Sequence, residues 1–310
     1  MKRVKQPRQE FRDIIDDALG LLQTHVPQPP QTNLLPDHRL SSLLERCQHM
    51  VDQTSRRGPA AIRTVHHLAC TGGTLLSRAI TAMPNVRLLS EVDPLSQLTK
   101  NVSFAPSDVV QQSRLAARPV AQEAEVGIFL AGLDVVYKDS SRNGLDLVIR
   151  DHSHSMFHFG PAVPDRRTLR EIVRDLVPLR SVVTVRHPID SFLSLREMNW
   201  DRHFSPNTLE EYCLRYGAFL DRHDDLQIIR YEDFLSEPEA VMRQLCDILD
   251  LAYIDTFAYT FQAIHLSGNS GRGGETLRAH PRRAISEAVS LEMSDSRAYA
   301  QLCDRLGYDP

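Results

Sequence analysis

No stretch of this 310-residue chain approaches the roughly 18 consecutive apolar residues of a membrane-spanning helix. Its basic first residues are followed by no apolar segment, so no secretory leader is expected. C-x-x-C pairs are missing too. The five cysteines (Cys47, Cys70, Cys213, Cys246, Cys303) are odd in number and widely scattered, which fits a reducing cytoplasm and argues against structural zinc. Nor is one charge sign in excess: the net charge is −4, and arginine and aspartate are intermixed, so no nucleic-acid partner is expected and any anion site must be local. These absences predict a cytoplasmic protein with no integral membrane segment. What remains, 42% hydrophobic and 25% charged, is enough to bury one large α/β core or two small ones.

Residues 1–60 show helical spacing at Phe11, Ile14, Ile15, Ala18, Leu21 and Leu22, a break at Pro27, Pro29 and Pro30, and a second helical pattern over 40–51. They read as an N-terminal helical extension packed on the core, or as a contact in a homo-oligomer. Residues 61–310 read as one α/β domain. Short β-branched runs at 62–68, 86–89, 145–149, 181–185 and 226–229 alternate with helical stretches, which implies a parallel sheet of about five strands flanked by helices. A long helical region over 108–137, interrupted at Pro119, separates the second and third strands, and 238–249 and 294–306 read as amphipathic helices.

The stretch 64–80, T-V-H-H-L-A-C-T-G-G-T-L-L-S-R-A-I, reads as strand, tight loop and helix. The turn Cys70-Thr71-Gly72-Gly73-Thr74-Leu75 lets successive backbone N–H groups share one concavity, and the helix that follows adds the positive end of its dipole. Such a loop suits a phosphate. It is not a Walker A motif, because Gly73 stands where that motif has lysine. The other strands lead to Ser90-Glu91, Arg150-Asp151-His152, Arg186-His187-Pro188 and Tyr231-Glu232-Asp233. Ligands of open parallel sheets bind beyond the carboxyl ends of the strands, so five ends converge on one site. Arg186 offers a planar fork of donors for a phosphate, and Ser194, in the helix that Pro188 opens, offers a hydroxyl to the same group.

With the T-G-G-T-L-L loop after a strand and R-x-P-x-D-x-x-x-S (Arg186, Pro188, Asp190, Ser194) about 110 residues later, the chain resembles the sulfotransferases that use 3'-phosphoadenosine 5'-phosphosulfate. Similar to that family too are Arg230-Tyr231-Glu232-Asp233-Phe234 and Ser267-Gly268-Asn269-Ser270-Gly271-Arg272, with Arg282-Arg283 downstream. The resemblance implies a P-loop NTPase-like sulfotransferase fold. It also implies that the first loop holds the 5'-phosphosulfate, that Arg186 and Ser194 hold the 3'-phosphate, and that Ser270, Gly271 and Arg272 close over the nucleotide. One position departs. Many members carry lysine or arginine just before the first hydroxyl of the loop; here Cys70 stands there, and Arg78, Arg150, Lys138, His66 and His67 are the alternative cations.

Sulfuryl transfer needs in-line positioning, a cation at the leaving group and a base for the acceptor proton. Glu91 matches the glutamate base of several family members, with Asp93 its rival. Arg150 is the expected replacement cation. His152, His154 and His158 form H-x-H-x-x-x-H, in which a histidine that lines the acceptor pocket or acts as an alternative base, His152 first, is favoured over a metal set. The expectation is a sulfotransferase that needs no metal and acts on a small-molecule, carbohydrate or lipid hydroxyl or amine. Its rivals are a P-loop small-molecule kinase and a catalytically silent adenosine-bisphosphate-binding protein.

Overall fold

The computed structural model describes residues 60–98, 106–266, 277 and 282–310. Most of the expected N-terminal extension, and Ser270, Gly271 and Arg272, lie outside the described residues. The core is a five-stranded sheet in the order β2-β3-β1-β4-β5, formed by β1 (Ile62–His66), β2 (Val86–Val92), β3 (Asp146–Asp151), β4 (Leu179–Val185) and β5 (Ile228–Arg230). Every pairing is parallel. β1 is central and buried along its whole length, as a β-branched strand covered on both faces should be.

Neighbouring residues on one strand feed opposite cores. Val182 packs with Val65 and Val148 against α1 (Gly73–Thr81) and α9 (Pro238–Leu249), whereas Val183 and Val185 pack against α6 (Pro188–Glu197), α7 (Leu209–Asp221) and α12 (Arg297–Leu306). A smaller core joins Leu147 and Ile149 to α3 (Gln122–Arg142) and α5 (Leu169–Val173). The result is three layers, helix on sheet on helix. The chain moves from β1 to the β2 edge, returns through β3 and then crosses to β4. The reversal point is therefore the carboxyl end of β1, between β3 and β4.

The helical region over 108–137 breaks around Pro119 as expected, into α2 (Val109–Leu115) and α3, but α3 runs past Tyr137 to Arg142. Strand β1 stops two residues early, at His66, and β2 continues past Leu89 to Val92. The C-terminal helix starts at Arg297 because Ser296 accepts the Tyr299 N–H and caps it; α11 (Glu287–Asp295) precedes it. β5 begins late because the Leu226 N–H still closes a turn onto the His223 carbonyl. The short helices α4 (His154–Phe157), α8 (Tyr231–Ser236) and α10 (Phe257–Thr260) complete the set.

Candidate active site

The glycine pair after β1 fits its surroundings closely. Gly72 sits at φ 85, where a side chain is strained, and a Cβ there would overlap the Tyr231 ring. A Cβ on Gly73 would overlap the His67 ring. Leu75 and Leu76 donate their N–H groups to the Gly72 carbonyl at 3.0 and 3.3 Å. The first-turn amides of α1 before them have no intrahelical acceptor and lie at the positive end of the dipole. Cys70 is itself left-handed, at φ 66. Two loop residues turn inward: Thr71 donates its hydroxyl to the Leu68 carbonyl at 2.8 Å, and the Leu75 side chain is buried in the core. The hydroxyl that faces the strand ends is Thr74.

Arg150, at the end of β3 and only 4% exposed, links these ends. Its Nε–H donates to His67 Nε2 at 2.8 Å, one Nη to Ser90 at 3.1 Å and the other to Thr74 Oγ1 at 2.9 Å. That last nitrogen also lies 2.6 Å from Glu91 Oε1. An ion pair between Arg150 and its neighbour Asp151 is not what forms; Asp151 bonds to His66 and Ser153 instead. His67 serves as an acceptor because burial, then Arg150, hold its pKa well below the usual range and keep it neutral.

Glu91 occupies an irregular register step between Leu89 and Val92 of β2, at φ 59. Such a bulge re-aims one side chain without ending the strand. Burial raises the Glu91 carboxyl and Arg150 opposes it; the balance leaves it pushed up to about 7. Its Oε2 is 3.6 Å from His152 Nε2, and His152 Nδ1 is 3.3 Å from the Ser96 hydroxyl. Asp93, the rival base, is committed elsewhere: both its oxygens bond to Arg166, at 3.2 and 2.6 Å, and Ser155 donates to it at 2.5 Å.

The three histidines after β3 separate. His152 and His154 meet edge to face at 4.0 Å, and His154 lies parallel to Trp200 at 6.4 Å, but His158 is buried between Phe204 and Tyr212. Glu91, His152 and His154 do offer ligand atoms within 4.8 Å of one another. The Arg150 guanidinium against Glu91 already supplies positive charge there, which opposes a metal ion.

On the other side of β1, Arg186 Nη1 reaches the Cys70 carbonyl at 3.2 Å and Ser194 Oγ at 3.4 Å, and the guanidinium lies 5.2 Å above the Tyr231 ring. No carboxylate lies within ion-pair distance of Arg186 among the described residues. Tyr231 thus supports both halves of the anion site, under Gly72 and under Arg186. Asp190 instead binds Arg282 at 3.1 Å, and Arg283 pairs with Glu197, so the chain after the Gly-rich segment is fixed to α6.

Of the alternative cations, Arg150 alone bonds to a loop side chain; His67 lies against Gly73 but burial keeps it neutral. Arg78 is spent on the Phe261 and Gln262 carbonyls, Lys138 pairs with Asp134 on α3, and His66 bonds to Asp151 and Thr64. Sequence reasoning did not single out Trp200 or Tyr216. Trp200 is the only tryptophan of the chain, which was a usable signal. Tyr216, whose hydroxyl accepts the Arg186 N–H at 3.2 Å, gave none.

Solved structures resemble the chain at low identity, among them the following three. The sulfotransferase domain from the curacin biosynthetic pathway is 15% identical with a TM-score of 0.49, covering 81% of this chain and 98% of that one. The sulfotransferase domain of the Synechococcus PCC 7002 olefin synthase is 15% identical with a TM-score of 0.47, covering 83% and 98%. Mouse sulfotransferase SULT7A1, solved with PAP, is 12% identical with a TM-score of 0.40, covering 80% and 89%. No curated protein matches. No helix among the described residues is long and apolar enough to cross a membrane. The profile of the sulfotransferase family matches residues 67–255, from the phosphate-type loop to beyond β5, and the chain belongs to that family.

Proposed function

We propose that the protein transfers a sulfuryl group from 3'-phosphoadenosine 5'-phosphosulfate to a hydroxyl or amine of a small-molecule, carbohydrate or lipid acceptor, with Glu91 as the base. The observation that carries this reading is the position of Arg150, which touches Thr74 of the loop with the same nitrogen that touches Glu91. One guanidinium thereby joins the expected leaving-group site to the expected base. When bound, the donor supplies an activated sulfuryl group, whose bond to the 5'-phosphate oxygen breaks as the acceptor oxygen or nitrogen bonds to sulfur.

The residues present suit such a donor. The first-turn amides of α1 and Thr74 hold the 5' end, and Arg186 with Ser194 holds the 3'-phosphate, since that arginine has no competing carboxylate in the described residues. Glu91 takes the acceptor proton, and its carboxyl near 7 is matched to that task at neutral pH. His152 stays neutral, its pKa lowered by burial, and lies 3.6 Å from the second Glu91 oxygen. Arg150 faces the negative charge that develops on the leaving phosphate and so fills the role vacated at Cys70.

Incubation with donor labelled in its sulfuryl group and a panel of hydroxyl and amine acceptors tests the reading. Label should appear in an acceptor, and Glu91→Gln should slow transfer by about 100-fold or more while donor binding persists. Transfer at an undiminished rate in Glu91→Gln would remove Glu91 as base; nucleotide binding with no transfer to any acceptor would favour the silent binding protein.

A further inference from the structure

Next to the proposed transfer site a carboxylate is buried with no cation paired to it among the described residues. His66 on β1, Asp151 at the end of β3 and His223 just after α7 are 0%, 4% and 2% exposed. One ligand atom from each lies within 4.8 Å of the other two. We propose that these three residues bind a transition-metal ion such as zinc, which two imidazoles and one carboxylate suit, with water completing its coordination.

Two unmet demands support the site. His223 donates its Nδ1–H to the Phe219 carbonyl at 2.8 Å, which leaves Nε2 as a bare lone pair, and that buried nitrogen has no hydrogen-bond partner. Asp151 Oδ2 accepts from His66 Nδ1 at 2.8 Å and from Ser153 Oγ at 2.7 Å, both neutral donors, and no arginine or lysine pairs with it among the described residues. A buried carboxylate with no cation is unfavourable, and a divalent ion supplies the missing charge.

The outer contacts suit a metal as well. A ligating histidine normally donates its other N–H to an oxygen, as His223 already does. For His66 the change on loading is a tautomer shift. Its proton moves from Nδ1 to Nε2, where it is donated to Thr64 Oγ1 at 2.9 Å, and Thr64 turns its own hydrogen to Ser181 Oγ at 2.7 Å. No proton is gained or lost. The ion then ties β1, β3 and the end of α7 together directly behind His67 and Arg150, the residues that follow and precede its ligands in sequence. It fixes the frame of the transfer site and takes no part in transfer, so the proposal stands whether or not the proposed reaction does.

The test uses the full chain, stripped with a chelator, supplied with zinc, passed through gel filtration and assayed for metal content and Tm. Wild type and His152→Gln should each retain one zinc per chain and melt higher when loaded. His223→Gln, which removes a ligand, should lose the zinc. If that variant does not fold, the visible spectrum of cobalt-substituted wild type decides, because tetrahedral nitrogen and oxygen ligation gives intense bands and solvent-exposed octahedral binding gives weak ones. Zinc retained equally by folded His223→Gln, zinc lost in His152→Gln, weak octahedral bands, or a wild type whose Tm ignores both zinc and chelator would overturn the proposal.

Discussion

The carboxyl ends of β3 and β4 each carry one arginine, and the two are held in opposite ways. Arg150 is buried, with every nitrogen on a neighbour and one against a carboxylate. Arg186 rests on a carbonyl, a long hydroxyl contact and an aromatic face. An arginine already neutralised by a buried glutamate contributes direction and a local field, and moves little when a substrate arrives. One without a carboxylate keeps its charge available to an incoming anion. On the proposed reading, the β3 end serves the chemical step and the β4 end serves affinity.

Glu91→Gln should give the largest effect, a fall in kcat of about 10²–10⁴-fold with the donor KM little changed, read by steady-state kinetics. Arg150→Ala should follow, with kcat down about 10²–10³-fold. The same variant removes the positive charge that lowers the Glu91 pKa, so the acidic limb of its pH profile should move to higher pH. In the wild type that limb should centre near 7, with activity falling below it as Glu91 takes up a proton. Arg186→Ala should do the converse of Arg150→Ala: donor affinity lower by roughly 10- to 100-fold, from the loss of charge-assisted hydrogen bonds, and kcat at saturating donor retained. Should Arg186→Ala lower kcat and Arg150→Ala raise only KM, the division between the two ends would be reversed.

The smallest effect is a control outside both ends. Burial pushes His158 from 6.5 to about 3, and neither ring nitrogen has a partner. Because the folded pKa lies below the unfolded one, stability is present above 6.5 and is lost as pH falls toward 3. His158→Phe should add about 1 kcal/mol at neutral pH, by removing an unpaired buried polar ring, and should flatten that acid limb in chemical denaturation.

How much was legible in the sequence follows from which interactions are local. All five strands were found, because each is a β-branched run between turn signals. Arg186 and Ser194 were readable because strand, proline and helix lie within ten residues. The Arg150–Glu91 contact joins two strands through a bulge that periodicity does not reveal, so residue types suggested the two roles but not their meeting. Thr71 and Leu75 belong to the loop's own packing, which a motif does not distinguish from binding. Glu91 was preferred over its rival Asp93 by position, and Arg166, far along the chain, is what takes Asp93. His66, Asp151 and His223 share no spacing at all, whereas the scattered cysteines and the H-x-H-x-x-x-H run both pointed away from zinc.

Calorimetric titration with adenosine 3',5'-bisphosphate, run on wild type, Arg186→Ala and Glu91→Gln, with ATP and magnesium as the comparison, tests the central claim most directly. Micromolar or tighter binding that is lost in Arg186→Ala, kept in Glu91→Gln and not matched by ATP is the predicted result. Equal binding by wild type and Arg186→Ala, or a preference for ATP with magnesium, would contradict the assignment of the β4 end to the 3'-phosphate and the nucleotide class with it.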